Sequence, residues 1–388
     1  MKISSLGKGP LAIACMGWAS VAYAYDNLFE TGFYELNEVK PARSDLPKSG
    51  VQGAGKANSR RHLFAAYSPQ YPLWSDGSQK RRWIYIPGKK KINTRYPDSW
   101  VFPKGTKIWK EFSFDEAEGN RKIETRYMEK RKDGSWVMQS FVWNDNQTLA
   151  TAAPEEGIQG HYEIDEGVYY DIPPAFACLL CHDKAGLDVG PKKTPVLGFS
   201  ALQLSDNRDP DAIHGEALEP GMITLEGLQS LNRVTRKMPE MPQIPDSEAY
   251  PLQRSVLGYL HTNCGSCHNE TGLAEISTFS DFHHPAHAQH IQQNGTFKTS
   301  MGRPISNWLM PDGSPELIIK PGDSENSALL FRMNATHELH TFNIPLWHHS
   351  GGYSRTDLVK MPFIGNNLKD TFAIEKISEY IDSLPQEN

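Results

Sequence analysis

The pentapeptide Cys-x-x-Cys-His occurs twice in this chain, as Cys178-Leu179-Leu180-Cys181-His182 and as Cys264-Gly265-Ser266-Cys267-His268. Few short patterns constrain a chain as strongly. Two thiols on one turn add to the two vinyl groups of a porphyrin, and the imidazole that follows reaches the iron. The motifs consume four of the five cysteines, so little thiol chemistry is left over. The spacing therefore predicts two haem c cofactors held through Cys178, Cys181, Cys264 and Cys267, with His182 and His268 as proximal iron ligands. Two other chemistries use paired cysteines. Four thiolates can hold one structural zinc, and a single pair can serve as a dithiol redox site. Zinc ribbons, however, do not require a histidine after each pair, and no βαβ pattern of the thioredoxin kind surrounds either motif.

The expected compartment agrees. Residues 1–24 read as a secretory signal, with Lys2 and Lys8 at its start, a mostly apolar stretch from Leu11 to Ala22, and Ala22-Tyr23-Ala24 at the cleavage positions. The fifth cysteine, Cys15, lies inside it. A lipid anchor on Cys15 fits less well, because Ala12, not leucine, stands three residues before it. The expected localisation is periplasmic or secreted. No later stretch approaches the roughly 18 apolar residues of a membrane span. Without residues 1–24 the chain has 38 basic and 46 acidic side chains, a net charge of −8. That balance argues against nucleic acid as a partner and suits a basic redox partner protein steered by the long-range field.

The expected fold class is α+β and multidomain: an N-terminal all-β, sandwich-like domain, then haem-binding segments, the last an all-α cytochrome c-like domain. The expected divisions are a signal peptide (1–24), a β-rich Trp-containing domain (25–170), a first haem region (171–246) and a second haem domain (247–388). Within the β-rich part, Lys122 to Lys130 alternates, with Ile123, Thr125 and Tyr127 on one face. The turn Lys132-Asp133-Gly134 and a second alternating run, Trp136 to Trp143, complete a hairpin. Strands are also expected at Arg82–Ile86 and Lys107–Phe114. Six tryptophans fall between Trp74 and Trp143, which suits an aromatic core or, alternatively, an aromatic ligand-binding platform.

Around the second motif, Ser255–Asn263 reads as a helix running into Cys264, and Phe372, Ile374, Ile377, Tyr380, Ile381 and Leu384 recur at helical spacing. Lys360-Met361-Pro362 lies between. This order predicts Met361 as the distal iron ligand of the second haem, with Gly258 letting the closing helix cross under Tyr380. A shorter helix is expected over Glu325–Met333 after the turn Pro321–Ser324. His283, His284, His287 and His290 form a cluster in which 283, 287 and 290 would share a helix face and could hold a metal. His337, His340, His348 and His349 are similarly open. The first motif is entered through extended Tyr169–Pro174, followed by Gly190-Pro191 and Pro195–Gly198. A helix is expected over Thr224–Arg233. Met238 and Met241, each followed by proline, are the candidate distal ligands of the first haem; His161 and His214 compete, and an open sixth position is a further alternative.

The runs Pro72-Leu73-Trp74-Ser75-Asp76-Gly77, Lys80–Trp83, Phe102–Thr106, Glu124–Arg126 and Trp143–Asp145 carry a resemblance, together with both haem motifs, Tyr259–Cys264 and Pro321–Asp323. Over most of its length beyond the signal, the chain resembles a family of secreted bacterial dihaem c-type proteins with an N-terminal "PLWSDG" β-domain. The resemblance implies a β-domain joined to cytochrome c-type haem regions and supplies no substrate. The family has a Leu-Pro-rich segment where this chain has Met238 and Met241.

Three functions are consistent with these residues. The first is electron transfer by a periplasmic dihaem cytochrome, to or from a dehydrogenase or another cytochrome. The second is a dihaem peroxidase or oxygenase with one open iron; the motifs lie only 86 residues apart, and the N-terminal half is β. The third is a ligand-binding β-domain with a haem relay.

Overall fold

The computed structural model describes residues 25–33, 62–117, 119–182, 195–270, 272, 280–309, 315–335, 360–362 and 364–386. The expected signal segment, Gly190-Pro191 and the histidines from His337 to His349 lie outside them.

Alternating apolar residues build an antiparallel meander. Strands β1 (Leu63–Ala66), β2 (Gln79–Ile86), β3 (Lys107–Glu116), β4 (Gly119–Lys130), β5 (Trp136–Trp143) and β6 (Ala150–Ala152) pair in sequence order as one six-stranded sheet. The protein is thus α+β with a large antiparallel sheet. The hairpin legible from the alternation is β4–β5, and Ile123, Thr125 and Tyr127 are buried in it. A register shift between Phe112 and Ser113 separates their environments. Tyr127 packs with Trp83, Trp109, Phe141 and Trp143, whereas Ile123 joins Phe112, Tyr170 and Ile172.

Both faces of the sheet are covered. The first is closed by Leu28 and Phe33 around the short 3-10 turn Leu28–Thr31. There Trp109 Nε1 donates to Thr31 Oγ1 at 2.8 Å, which satisfies an indole buried in apolar surroundings. Trp83, Trp100 and Trp109 are fully buried, and no tryptophan is among the exposed large apolar residues described. The aromatic residues therefore serve as core, the simpler of the two expectations.

The second face receives the rest of the chain. A second hairpin, β7 (Ile158–Asp165) and β8 (Val168–Ile172), leads through Pro173-Pro174 into α1 (Ala175–His182). Next come α2 (Leu225–Ser230), capped by Thr224, and α3 (Gln253–Asn263). Then follow α4 (Gly295–Thr299), the paired strands β9 (Pro304–Leu309) and β10 (Pro315–Leu317), α5 (Ala328–Asn334) and α6 (Thr371–Ser383). One apolar cluster runs from Leu63, Ile84 and Trp100 through Phe199 and Leu202 to α3 and α6. Among the described residues no helix is long and apolar enough to cross a membrane.

Three local expectations are corrected. The helix foreseen from Glu325 begins only at Ala328, because Asp323 takes the backbone N–H of Asn326 and holds the preceding residues as a turn. No helix forms over His283–His290. Pro285 interrupts it, and His284 turns inward, its Nδ1 3.0 Å from Asn294 Nδ2, while His283 faces Asp98. The side chain fitted over Gly258 is Tyr71, not Tyr380: a Cβ there would stand 2.0 Å from Tyr71 Cε1.

Candidate functional site

The second motif is positioned by α3, whose last residue, Asn263, precedes Cys264. The "PLWSDG" run holds that helix end. Trp74 N–H donates to Asn263 Oδ1 at 2.8 Å, and Thr262 Oγ1 donates to the Tyr71 carbonyl at 3.0 Å. The run then turns back sharply. Asp76 and Gly77 both take positive φ, and Ser78 N–H closes the turn on the Ser75 carbonyl at 2.9 Å. Two consecutive left-handed residues are what an Asp-Gly pair tolerates best. Asp76 Oδ1 accepts the backbone N–H groups of Asn367 (2.6 Å) and Leu368 (2.8 Å). One hexapeptide thus ties the helix before Cys264 to the segment after Met361.

Met361 is held from the other side, its N–H donating to the Arg332 carbonyl of α5 at 3.0 Å. The outcome is a partly open pocket whose lining includes Tyr259, Cys264, His268, Phe282, Met333 and Met361. The expected attachment cysteine, proximal histidine and distal methionine therefore line one space, and its walls are mostly apolar. His268 Nδ1 lies 2.7 Å from Ser280 Oγ, which fixes the ring. Burial first, then the Arg332 charge, brings His268 down to about 4, so the imidazole is neutral at neutral pH. A neutral imidazole with one nitrogen tied is the form that binds a metal. The donor set and the apolar lining fit a haem.

The first motif occupies α1. His182 Nδ1 sits 2.5 Å from the Pro195 carbonyl, the same arrangement of ring and acceptor. Burial is again the main cause that lowers His182 to about 4; the Lys110 and Arg126 charges add to it, and Pro195 opposes it. The Cys178 thiol is pushed up by burial, and Cys264 by the same cause to about 12.

The two motifs touch. The Cys181 and Cys267 thiols lie close enough to shift one another, raising the first and lowering the second. No group of three or more His, Cys, Asp or Glu among the described residues is arranged to hold a metal ion.

The other candidates have partners of their own. Met238 is tied by its N–H to Gln229 Oε1 at 2.5 Å, and both Met238 and Met241 pack against the main apolar cluster. His182 is acted on by the Pro195 carbonyl and by the Lys110 and Arg126 charges. His214 is engaged by Asp370, 2.8 Å from its Nε2, and His161 lies on β7. Lys110 and Arg126 were missed from the sequence. The signal was present, since Lys110 falls between Ile108 and Phe112 on one face of its strand.

No protein-family model, curated protein or solved structure matches the chain. The functional reading rests on the residues and their geometry.

Proposed function

We propose that this protein is a periplasmic dihaem c-type cytochrome that transfers electrons, exchanging them with a redox partner protein such as a dehydrogenase or another cytochrome. The observation that carries the reading is the mostly apolar pocket that Cys264, His268 and Met361 line together. A porphyrin needs apolar walls with a histidine and a thioether facing in, whereas a structural zinc needs four ligands converging on one point. Support also comes from the tied rings of His182 and His268.

On this reading Cys178 and Cys181 hold one haem with His182 as ligand, and Cys264 and Cys267 hold the other with His268 and Met361. Bound haem supplies a one-electron couple, and a thioether ligand favours its ferrous state. The chain binds and orients the group and keeps water from it with Phe282 and Met333. The sheet β1–β6 then corresponds to the family's N-terminal β-domain. Helices α3 and α6 with the Met361 segment correspond to an all-α cytochrome c-like domain, and residues 1–24 to a secretory signal.

A second reading, an enzyme with one open iron, starts from Met238 and Met241, which pack against the main apolar cluster, the former tied by its N–H to Gln229. Carbon monoxide separates the two. Reduced protein matured in a periplasm should contain two haems per chain, and its spectrum should not change with the gas. A carbon monoxide shift in half of the haem would replace electron transfer by the enzyme reading.

A further inference from the structure

A row of cations crosses the sheet beside the first motif. Lys110 on β3 stands in register with Arg82 on β2 and with Arg126 on β4. Side chains directly opposite on antiparallel strands share a face about 5 Å apart, and like charges so placed repel. Two members are neutralised. Arg82 is forked on Glu216 at 2.7 and 3.1 Å, and Arg126 on Glu124 at 2.9 and 3.0 Å.

Lys110 is not neutralised. Among the described residues no carboxylate and no hydrogen-bond acceptor meets its ammonium, which lies 4.8 Å from the centre of the Phe112 ring. Lys80, on the same face as Arg82, donates to the Ser78 carbonyl at 2.7 Å and has no carboxylate partner among the described residues. Burial, followed by the charges of Arg82, Lys80 and Arg126, pushes Lys110 well below the usual lysine value. An ammonium held like this is destabilising unless an anion joins it. The row faces the motif: the Arg126 charge acts on Cys178 and Cys181, and those of Lys110 and Arg126 act on His182.

We propose that Lys110, flanked by Arg126 and Lys80, anchors an anion site at the first Cys-x-x-Cys-His motif, and that its ligand is a carboxylate. The carboxylate is either a propionate of the porphyrin held by Cys178 and Cys181 or a small carboxylate from solution. The inference rests on the haem reading of that motif.

The test uses full-length, periplasmically matured protein as wild type, Lys110→Met, Lys110→Arg and Lys80→Met. Haem per chain is counted by pyridine haemochrome, and midpoint potentials are measured with and without sodium acetate at constant ionic strength. A positive charge favours the reduced, more negative haem. If the porphyrin supplies the carboxylate, Lys110→Met shifts one potential downward, Lys110→Arg restores it, Lys80→Met shifts it by less, and acetate has no effect. If solution supplies it, acetate shifts one wild-type potential saturably, and Lys110→Met abolishes the response. Two haems per chain with both potentials and the acetate response unchanged in Lys110→Met and Lys80→Met would overturn the anion site alone. Fewer than two haems in the wild type would overturn the haem reading with it.

Discussion

Tyr71 occupies the space that any side chain at residue 258 would need, its Cε1 standing 2.0 Å from where a Cβ on Gly258 would lie. This contact seats the strand-rich part of the chain on the helix that leads into Cys264. It also brings the "PLWSDG" run to the second Cys-x-x-Cys-His motif, almost 200 positions away, where Trp74, two positions before Asp76, binds Asn263 directly.

Substitution at Gly258 tests that seat. Gly258→Ala should cost about 1–3 kcal/mol, the range for forcing extra volume into a packed core. Tyr71→Leu in the same chain should recover part of the loss. Urea unfolding of the four members of the cycle reads both numbers; additive effects would mean that the two residues do not meet.

Asp76 is the second lever. Its carboxylate accepts two backbone N–H groups, of Asn367 and Leu368, that follow the Met361 segment. Asp76→Ala leaves both without that acceptor and should loosen Met361. Reduced Asp76→Ala protein should therefore acquire a carbon monoxide-reactive fraction, and Asp76→Asn, which keeps an acceptor oxygen, should acquire much less.

Asp370 caps α6 by accepting the Ala373 N–H, and it also accepts the Tyr259 hydroxyl and lies against His214. Losing a cap and stranding a buried hydroxyl should together cost about 2–4 kcal/mol in Asp370→Ala. Because Tyr259 lines the cavity beside Cys264, the variant should also mature with less haem at the second motif, measured by haemochrome.

His284 gives the protein a definable acid sensitivity. It is fully buried, its Nδ1 accepts from Asn294 Nδ2, and burial lowers it from 6.5 to about 4. The unfolded chain therefore binds a proton that the folded chain refuses. The stability this implies is complete above pH 6.5 and declines as the pH falls toward 4. The loss amounts to about 2 kcal/mol between pH 7 and pH 5. His284→Gln stays uncharged and can still accept from Asn294. Denaturation across that range should show a shallower pH slope in His284→Gln than in the wild type; equal slopes would place the acid sensitivity elsewhere.

Local pattern carried the elements it could specify. The alternation over Lys122–Trp143 is a half-buried hairpin, and the spacing of Ile377, Tyr380 and Ile381 is the buried stripe of α6. Helix α3 begins at Gln253, two residues earlier than periodicity suggests, directly after a turn at Pro251 and Leu252. Contacts between distant segments were not legible. Nothing near Gly258 announces Tyr71, and nothing near either motif announces that Cys181 meets Cys267. The histidines from 283 to 290 look like one cluster in sequence. Their side chains diverge, because the backbone after Pro285 is not helical and each imidazole answers to a different neighbour: Asp98 for His283, Asn294 for His284. The cation row belongs between these extremes, since Lys110 shares a face with Ile108 and Phe112, and that conflict with the pattern was visible in the strand itself.

The central claim is that both Cys-x-x-Cys-His motifs carry haem. Protein matured in a periplasm, denatured and extracted with acid acetone to remove any haem that is not covalently attached, should retain two haems per chain by pyridine haemochrome. Cys178→Ala/Cys181→Ala and Cys264→Ala/Cys267→Ala should each retain one. Extraction of all haem, or stoichiometric zinc in its place, would contradict the account.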